Sequence, residues 1–442
     1  MYSRTLLFSS LLFGANAFGL GQVEFNAVSF LRNSVDRTTT ISYLSLGPKL
    51  ESSGSWMDSV LDLKAIAFLA QNSSFTAEAP QAYISTNKKW SGLHQFALGR
   101  KWMSWSMLDD RWRMGLYNPR FTWDPIYPET IGLTGGFYSY ESKYVSFVAY
   151  GSPIAIPERG ASLSVENGQL ISAQPLMKPM PNLITGIIGN SQTPINYSIQ
   201  MPPTSQMIFR PNGMASLKVR TDNGLWATGN YGYLPIHQAD IFLDATLSAS
   251  TSRIDAKIMP QFHMQELMGL EAGYQADVFS LWFSAQRQTP NVASIADSTT
   301  IRNSIGPASL IATGADFHLM NKNLTLTTTV LTVDETTTPV SGAFAVSLPS
   351  RFWYKRAFQI GAQYGNPDSK FTYTANWIND IEQVSQLISV DVGFRPYINK
   401  AGTLSSLTVS LGTDFFTSST GAGTIGQFVG NDRVRGRIAY AF

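Results

Sequence analysis

The 442 residues carry 32 Lys and Arg against 30 Asp and Glu, a formal charge of +2, and no cysteine. So even a balance gives no bulk preference for nucleic acid or anionic lipid, and without Cys there are no disulfides, no thiol chemistry and no Cys-type metal site. After residue 17 no apolar run approaches the roughly 18 residues that a spanning helix needs, which excludes a helical membrane protein.

The chain opens on Arg4, an apolar run over 6–13 and Ala15-Asn16-Ala17. This is the layout of a secretory signal with a small-x-small cleavage site, so 1–17 is expected to be removed and 18–442 to form the mature fold. From there alternation takes over. Candidate strands at 23–31 and 40–46 lead to 61–67, where Leu61, Leu63, Ala65 and Ala67 share one face and Asp62 and Lys64 the other. Further strands are expected at 81–87, 95–102, 111–116, 133–140 and 144–150.

The rhythm is disturbed twice. Over 100–129 nine charges, Arg100, Lys101, Asp109, Asp110, Arg111, Arg113, Arg120, Asp124 and Glu129, are interleaved with Trp102, Trp105, Trp112 and Trp123. Opposed rows of charge on an inner wall would orient polar solutes and aromatic rings would stack on sugars; structural ion pairs with Trp at the membrane interface are the plainer reading. Over 153–211 lie nine of the 22 prolines. Proline cannot donate to a ladder, so this stretch is expected as a long loop that constricts or plugs the lumen or caps its outer mouth.

Alternation then resumes. Ala215, Leu217 and Val219 oppose Ser216, Lys218 and Arg220, and strands follow at 225–233 and 241–247. At 253–262, Ile254, Ala256 and Ile258 oppose Arg253, Asp255 and Lys257. Strands at 266–275, 279–283, 312–319, 324–333, 343–348, 358–364 and 371–377 lead to Ile388, Val390, Val392 and Phe394 opposing Asp391 and Arg395, then 407–411. Turn chemistry falls at Ser53-Gly54, Asp222-Asn223-Gly224, 365–368 and 400–402.

Soluble sandwiches alternate too. One of this size would divide into domains of about 100–200 residues, yet no linker or shift of composition divides the chain. The fold class expected is therefore all-β, a single transmembrane antiparallel β-barrel. At roughly 22–26 residues per strand with its turns, the length gives about 18 strands, 16 being the alternative. Closure is required because an unpaired backbone amide in hydrocarbon costs several kcal/mol, and a barrel so wide holds water rather than packed side chains. The expected pore lining is Asp62, Lys64, Arg100, Lys101, Asp109, Asp110, Arg111, Arg113, Lys218, Arg220, Arg253, Asp255, Lys257, Asp391 and Arg395.

The last nine residues, 434–442, read V-R-G-R-I-A-Y-A-F. Val434, Gly436, Ile438, Tyr440 and Phe442 face one way and Arg435, Arg437, Ala439 and Ala441 the other. The terminal Phe442 with Tyr440 and Ile438 resembles the C-terminal insertion signal of Gram-negative outer-membrane β-barrels. That resemblance implies residence in the outer membrane, contact with its lipid and delivery by the barrel-assembly machinery. The segment 100–135 loosely resembles the wall of large outer-membrane channels that pass carbohydrate polymers, which implies sugars or an exported polysaccharide as cargo.

No enzyme is expected. His94, His237, His263 and His318 are scattered without metal-ligand spacing, no cofactor motif occurs, and the Asp109-Asp110 dyad would not converge unless it lies on a loop, because adjacent strand residues face opposite sides. The Lys88-Lys89 doublet reads as a solvated turn and not a nucleic-acid patch. The function expected is a water-filled channel for polar solutes, single or oligomeric. The alternatives are a plugged structural or adhesive barrel and a transporter of hydrophobic compounds.

Overall fold

Eighteen strands with this alternation wrap into one closed sheet. The computed structural model describes residues 17–31, 40–69, 75–124, 126–160, 163–172, 182–185, 192–248, 252–292, 300–302, 305–336, 352–365, 369–396, 406–419, 425–426 and 428–441. The barrel strands are β1 (Ala17–Phe30), β2 (Thr40–Ser53), β3 (Met57–Phe68), β4 (Phe75–Thr86), β5 (His94–Lys101), β6 (Leu133–Glu141), β7 (Val145–Ser152), β8 (Asn212–Arg220) and β9 (Leu225–Pro235). They continue as β10 (Met264–Gln275), β11 (Phe279–Asn291), β12 (Ala308–Leu319), β13 (Leu324–Glu335), β14 (Arg356–Tyr364), β15 (Phe371–Asp380), β16 (Ser385–Phe394), β17 (Ser406–Ser418) and β18 (Arg433–Ala441).

Each strand pairs antiparallel with the next, and β18 returns to β1 with Ile438 opposite Phe25 and Val434 opposite Ser29. No edge is left in the ring, as hydrocarbon demands. The count matches the expected 18. Phe25, Leu98, Leu217, Leu270, Phe283, Ile311, Leu411 and Ile438 stand exposed on the outer face, where lipid replaces water as their solvent. Residues 1–16, the expected strand at 343–348, the turn residues 366–368 and 400–402, and Phe442 lie outside the described residues; Ala17 already begins β1.

Short turns gather at one end. Asp222-Asn223-Gly224 closes β8 onto β9 with the Thr221 amide donating to the Leu225 carbonyl at 2.8 Å. Gly224 sits at φ +90°, and a Cβ there would lie 2.2 Å from the Gln275 carbonyl oxygen, so only glycine fits. The long connections, 102–132, 153–211, 236–263 and 336–355, leave the opposite end. In bacterial barrels the short turns are periplasmic and the long loops extracellular.

Two expected wall strands belong elsewhere. Asp240–Ser248 and Arg253–Gln261 form a hairpin beyond β9 and β10, within a five-stranded sheet completed by Leu183–Thr185, Gln192–Ile199 and Thr300–Arg302. Their alternation is genuine, but Ile254, Ala256 and Ile258 pack with Tyr197 of that sheet and Leu170 of a separate two-stranded hairpin. Arg253, Asp255 and Lys257 are therefore off the barrel wall. Within 153–211, this sheet and the hairpin Leu163–Glu166/Gln169–Ser172 account for a little under half of the described backbone.

The expected strand at 111–116 is instead the end of a helix, Met107–Trp112. Ser106 caps it through a side-chain oxygen that accepts from the Asp109 amide, with Asp109 and Asp110 in the first turn. Both are helix-start signals that a two-residue period over Arg111 to Leu116 had masked.

Candidate functional site: a segment tethered across the lumen

Residues 102–132 join β5 to β6, and they turn inward. Far from being channel wall, they touch nearly every side of the barrel. The Ser106 hydroxyl donates to Glu271 of β10 at 2.6 Å and the Met107 amide to the same carboxylate at 3.0 Å. Glu271 also accepts from Ser284 of β11 at 2.8 Å. The amide of Asn230 on β9 donates to the Trp105 carbonyl at 2.7 Å, and Tyr117 hydrogen-bonds Gln286 of β11. Arg111 pairs with Asp316 of β12.

Farther along, Tyr127 donates to Asp414 of β17 at 2.5 Å and accepts from the Ser389 hydroxyl of β16 at 2.9 Å. Asp124 accepts from Arg433 of β18 at 2.9 Å, and Glu129 pairs with Lys64 of β3. Inside the segment the buried Asp109 carboxylate accepts the Leu116 and Tyr117 amides at 3.0 and 3.1 Å. Burial raises its pKa against the pull of those amides. His237, after β9, donates Nε2–H to the Tyr117 carbonyl at 2.9 Å, and complete burial pushes its pKa down to about 4.

Apolar packing seals most of the perimeter. Trp105, Leu108, Trp112, Met114, Leu116 and Tyr117 pack with Leu234, Leu267, Leu310, Leu331 and Leu387 of the inner wall. Phe121, Trp123 and Ile131 pack with Val28, Ile41, Tyr43, Ile66 and Phe68.

One stretch of that perimeter is less tightly filled. A cavity of about 130 Å³ is lined by Arg111, Arg113, Arg120 and Tyr127 of the segment, by Gln359 on β14, Asn376 on β15 and Ser389 on β16, and by the apolar Trp112, Tyr354, Ile378 and Leu387. The Trp112 and Tyr354 rings meet edge to face at 5.3 Å. Arg120 is held by Glu158 at 3.1 Å, and its Nη1 donates to the Arg113 carbonyl at 2.8 Å. Arg113 itself is exposed, and among the described residues its guanidinium pairs with no carboxylate. It caps the helix at φ 51° and ψ 45°, a conformation that favours glycine but is occupied by arginine. Asp110, one turn back, faces lumen water while protein encloses it on most sides, and its pKa is pushed up to about 6.

The other expected lining residues are dispersed. Arg100 pairs with Glu78, Lys101 lies over the Tyr83 ring at 5.2 Å, and Asp62 sits opposite Lys49 on the inner wall. Toward the short turns Lys218 covers Trp226 at 4.6 Å and Arg220 reaches Glu141 at 3.6 Å. Asp391 meets Arg435 at 3.0 Å. Arg395 follows the end of β16, where its amide donates to the Lys370 carbonyl at 2.8 Å. Arg253 and Asp255 face each other at 3.1 Å on the sheet outside the barrel. Missing from that expected set are Arg433, Arg435 and Arg437, the inward row of β18. Arg433 also binds Asp414 at 2.7 Å, and Arg437 binds Glu24 of β1 at 2.7 Å. The alternation of 434–442 displayed two of them, and their polar face was the available signal.

A closed 18-stranded antiparallel barrel, apolar outside, charged within and crossed by a tethered segment, has the architecture of a transmembrane β-barrel. No known protein family and no curated protein matches the chain. Among solved structures it is similar in fold to Pseudomonas aeruginosa OccK2 (OpdF) in complex with glucuronate, at 11% identity, TM-score 0.49, over 97% of this chain and 99% of that one. It is likewise similar to Acinetobacter baumannii OccAB1, at 10% identity, TM-score 0.49, over 97% of each chain. A third is Pseudomonas aeruginosa OpdK with vanillate, at 9% identity, TM-score 0.47, over 96% of this chain and 98% of that one. At such identities the likeness concerns the fold.

Proposed function

We propose that this barrel is an outer-membrane channel for small hydrophilic solutes, admitted between the tethered segment and strands β14–β16. The observation that carries this is the cavity there, where the guanidiniums of Arg111, Arg113 and Arg120 and the amides of Gln359 and Asn376 stand beside Trp112, Ile378 and Leu387, whereas elsewhere the segment is fixed to the wall by hydrogen bonds, ion pairs and apolar packing. The unpaired Arg113 gives the passage a preference for anions. A unit charge about 4 Å away is attracted by about 1 kcal/mol in bulk water and about 4 kcal/mol at a protein-like dielectric. A polysaccharide chain would need an open bore, which the filled lumen does not offer. Export through a signal at 1–17 and insertion through 438–442 complete the proposal.

Planar-bilayer recording tests it. Wild-type protein should give steady ohmic steps with a reversal potential on the anion side, and Arg113→Glu should move that potential toward cations. A second reading, a plugged structural barrel whose outer sheet meets a partner, draws on the continuous apolar packing around the segment. A sealed bilayer containing correctly inserted protein would select it.

A further inference from the structure

Trp56 and Trp90 are the most exposed tryptophans described, at 64% and 59%, and they stack nearly parallel, 7° apart with ring centres 5.9 Å apart. They come from different turns at the short-turn end, 54–56 and 87–93. Asn87 fuses those turns. Its amide nitrogen donates to the Gly54 carbonyl at 2.9 Å, to Asp58 at 2.8 Å and to Ser53 at 3.2 Å, while its side-chain oxygen caps the helix Lys88–Ser91 through the Lys89 amide at 2.8 Å. Its own amide donates to the Trp56 carbonyl at 2.8 Å. Two large apolar rings are thus held rigidly outside any core.

The charges beside them differ in how they are engaged. Lys88 pairs with Glu141 at 2.6 Å, and the Asp58 carboxylate is held within the turn by hydrogen bonds from Asn87 and Ser53. Lys89 is exposed, and among the described residues its ammonium has no carboxylate partner. Leu93, in the same turn, is 52% exposed, and just membrane-ward Phe96 is exposed on the outer face at 56%. Apolar wall below, an indole pair at the boundary and a free cation above it match, layer for layer, the acyl chain, glycerol and phosphate of a phospholipid.

We propose that this corner is a binding site for one anionic phospholipid of the periplasmic leaflet, its phosphate on Lys89 and its glycerol region against Trp90 and Trp56. The site is independent of what passes through the lumen. Aromatic anchoring alone would accept any lipid; the uncompensated lysine selects a net negative headgroup over a zwitterionic one.

Native mass spectrometry on the full-length barrel, released from bilayers of equal phosphatidylglycerol and phosphatidylethanolamine, tests it. Retained phosphatidylglycerol should exceed phosphatidylethanolamine about five-fold, the equivalent of about 1 kcal/mol for one basic residue at an anionic surface. Lys89→Glu should remove the excess, and Trp90→Ala should lower retention of both lipids. Heat-modifiable gel mobility confirms that the variants are folded, and inorganic phosphate in place of lipid should not change the mass distribution. Equal retention of the two lipids by wild type, or an excess unchanged by Lys89→Glu, overturns the proposal and leaves the pair as unselective interfacial aromatics.

Discussion

Arg433 and Asp124 meet at 2.9 Å with both side chains almost wholly buried, and they lie 309 positions apart. One belongs to the strand that closes the barrel and the other to the segment that crosses it. The guanidinium also grips Asp414 on the neighbouring strand, so barrel closure and segment seating share one cation.

Asp124→Asn should loosen the segment without opening the barrel. Arg433 keeps Asp414, so the loss is about that of one charged hydrogen bond, about 1.5–3 kcal/mol. Limited proteolysis within 102–132 should quicken, and bilayer recordings should become noisier, while gel mobility of the folded barrel stays the same. Unchanged cleavage and noise would show that Asp124 has no part in holding the segment.

His237 and Asp110 should give stability opposite responses to acid. His237 is held neutral with a pKa near 4 instead of 6.5. Between those values the unfolded chain binds a proton that the folded chain refuses, so stability falls as pH drops from about 6.5 to 4, at about 1.4 kcal/mol per unit. His237→Gln, which can still donate to the Tyr117 carbonyl, should flatten that slope in detergent-phase thermal unfolding.

For Asp110 the sign reverses. Its pKa is raised from 3.8 to about 6 by enclosure, with Asp109 and Glu271 adding to the effect and Ser104 and Arg111 opposing it. The folded state therefore bears the cost of ionisation above pH 6 and is relieved of it toward pH 4. Asp110→Asn should raise the unfolding temperature at pH 7.5 and leave it unchanged at pH 4. An equal rise at both values would remove ionisation as the cause.

Gly224→Val should cost about 1–3 kcal/mol, the usual penalty for a side chain forced into a left-handed turn. The 2.2 Å approach to the Gln275 carbonyl puts the effect toward the top of that range. Urea unfolding of the refolded barrel measures it. A variant as stable as wild type would mean that β8 and β9 can adopt another turn.

The wall was legible in the chain because a pleat writes its two faces into alternate residues. Asp62 and Lys64 on 61–67, and Asp391 on 388–394, both fall on the inner side as their parity requires. Parity does not say which sheet a strand joins, so 253–262 alternates as cleanly as any wall strand while lying outside the ring. Nor does it reveal what fills the ring. The segment 102–132 draws its partners from Lys64 to Arg433, and no local pattern records a contact across three hundred residues. Its one local signal, the Ser106 cap with acidic residues in the first turn, was hidden by the alternation expected over 111–116.

The inward arginines of β18 each bind a different set of neighbours, Arg433 the crossing segment and β17, Arg435 β16 and β17, Arg437 β1. The final strand is therefore not an interchangeable part. A chimera that borrowed the terminal strand of another barrel could reproduce every backbone pairing and still lack these three keys. Grafting at the outer sheet leaves them untouched, which makes that end of the molecule the place where new binding loops can be added.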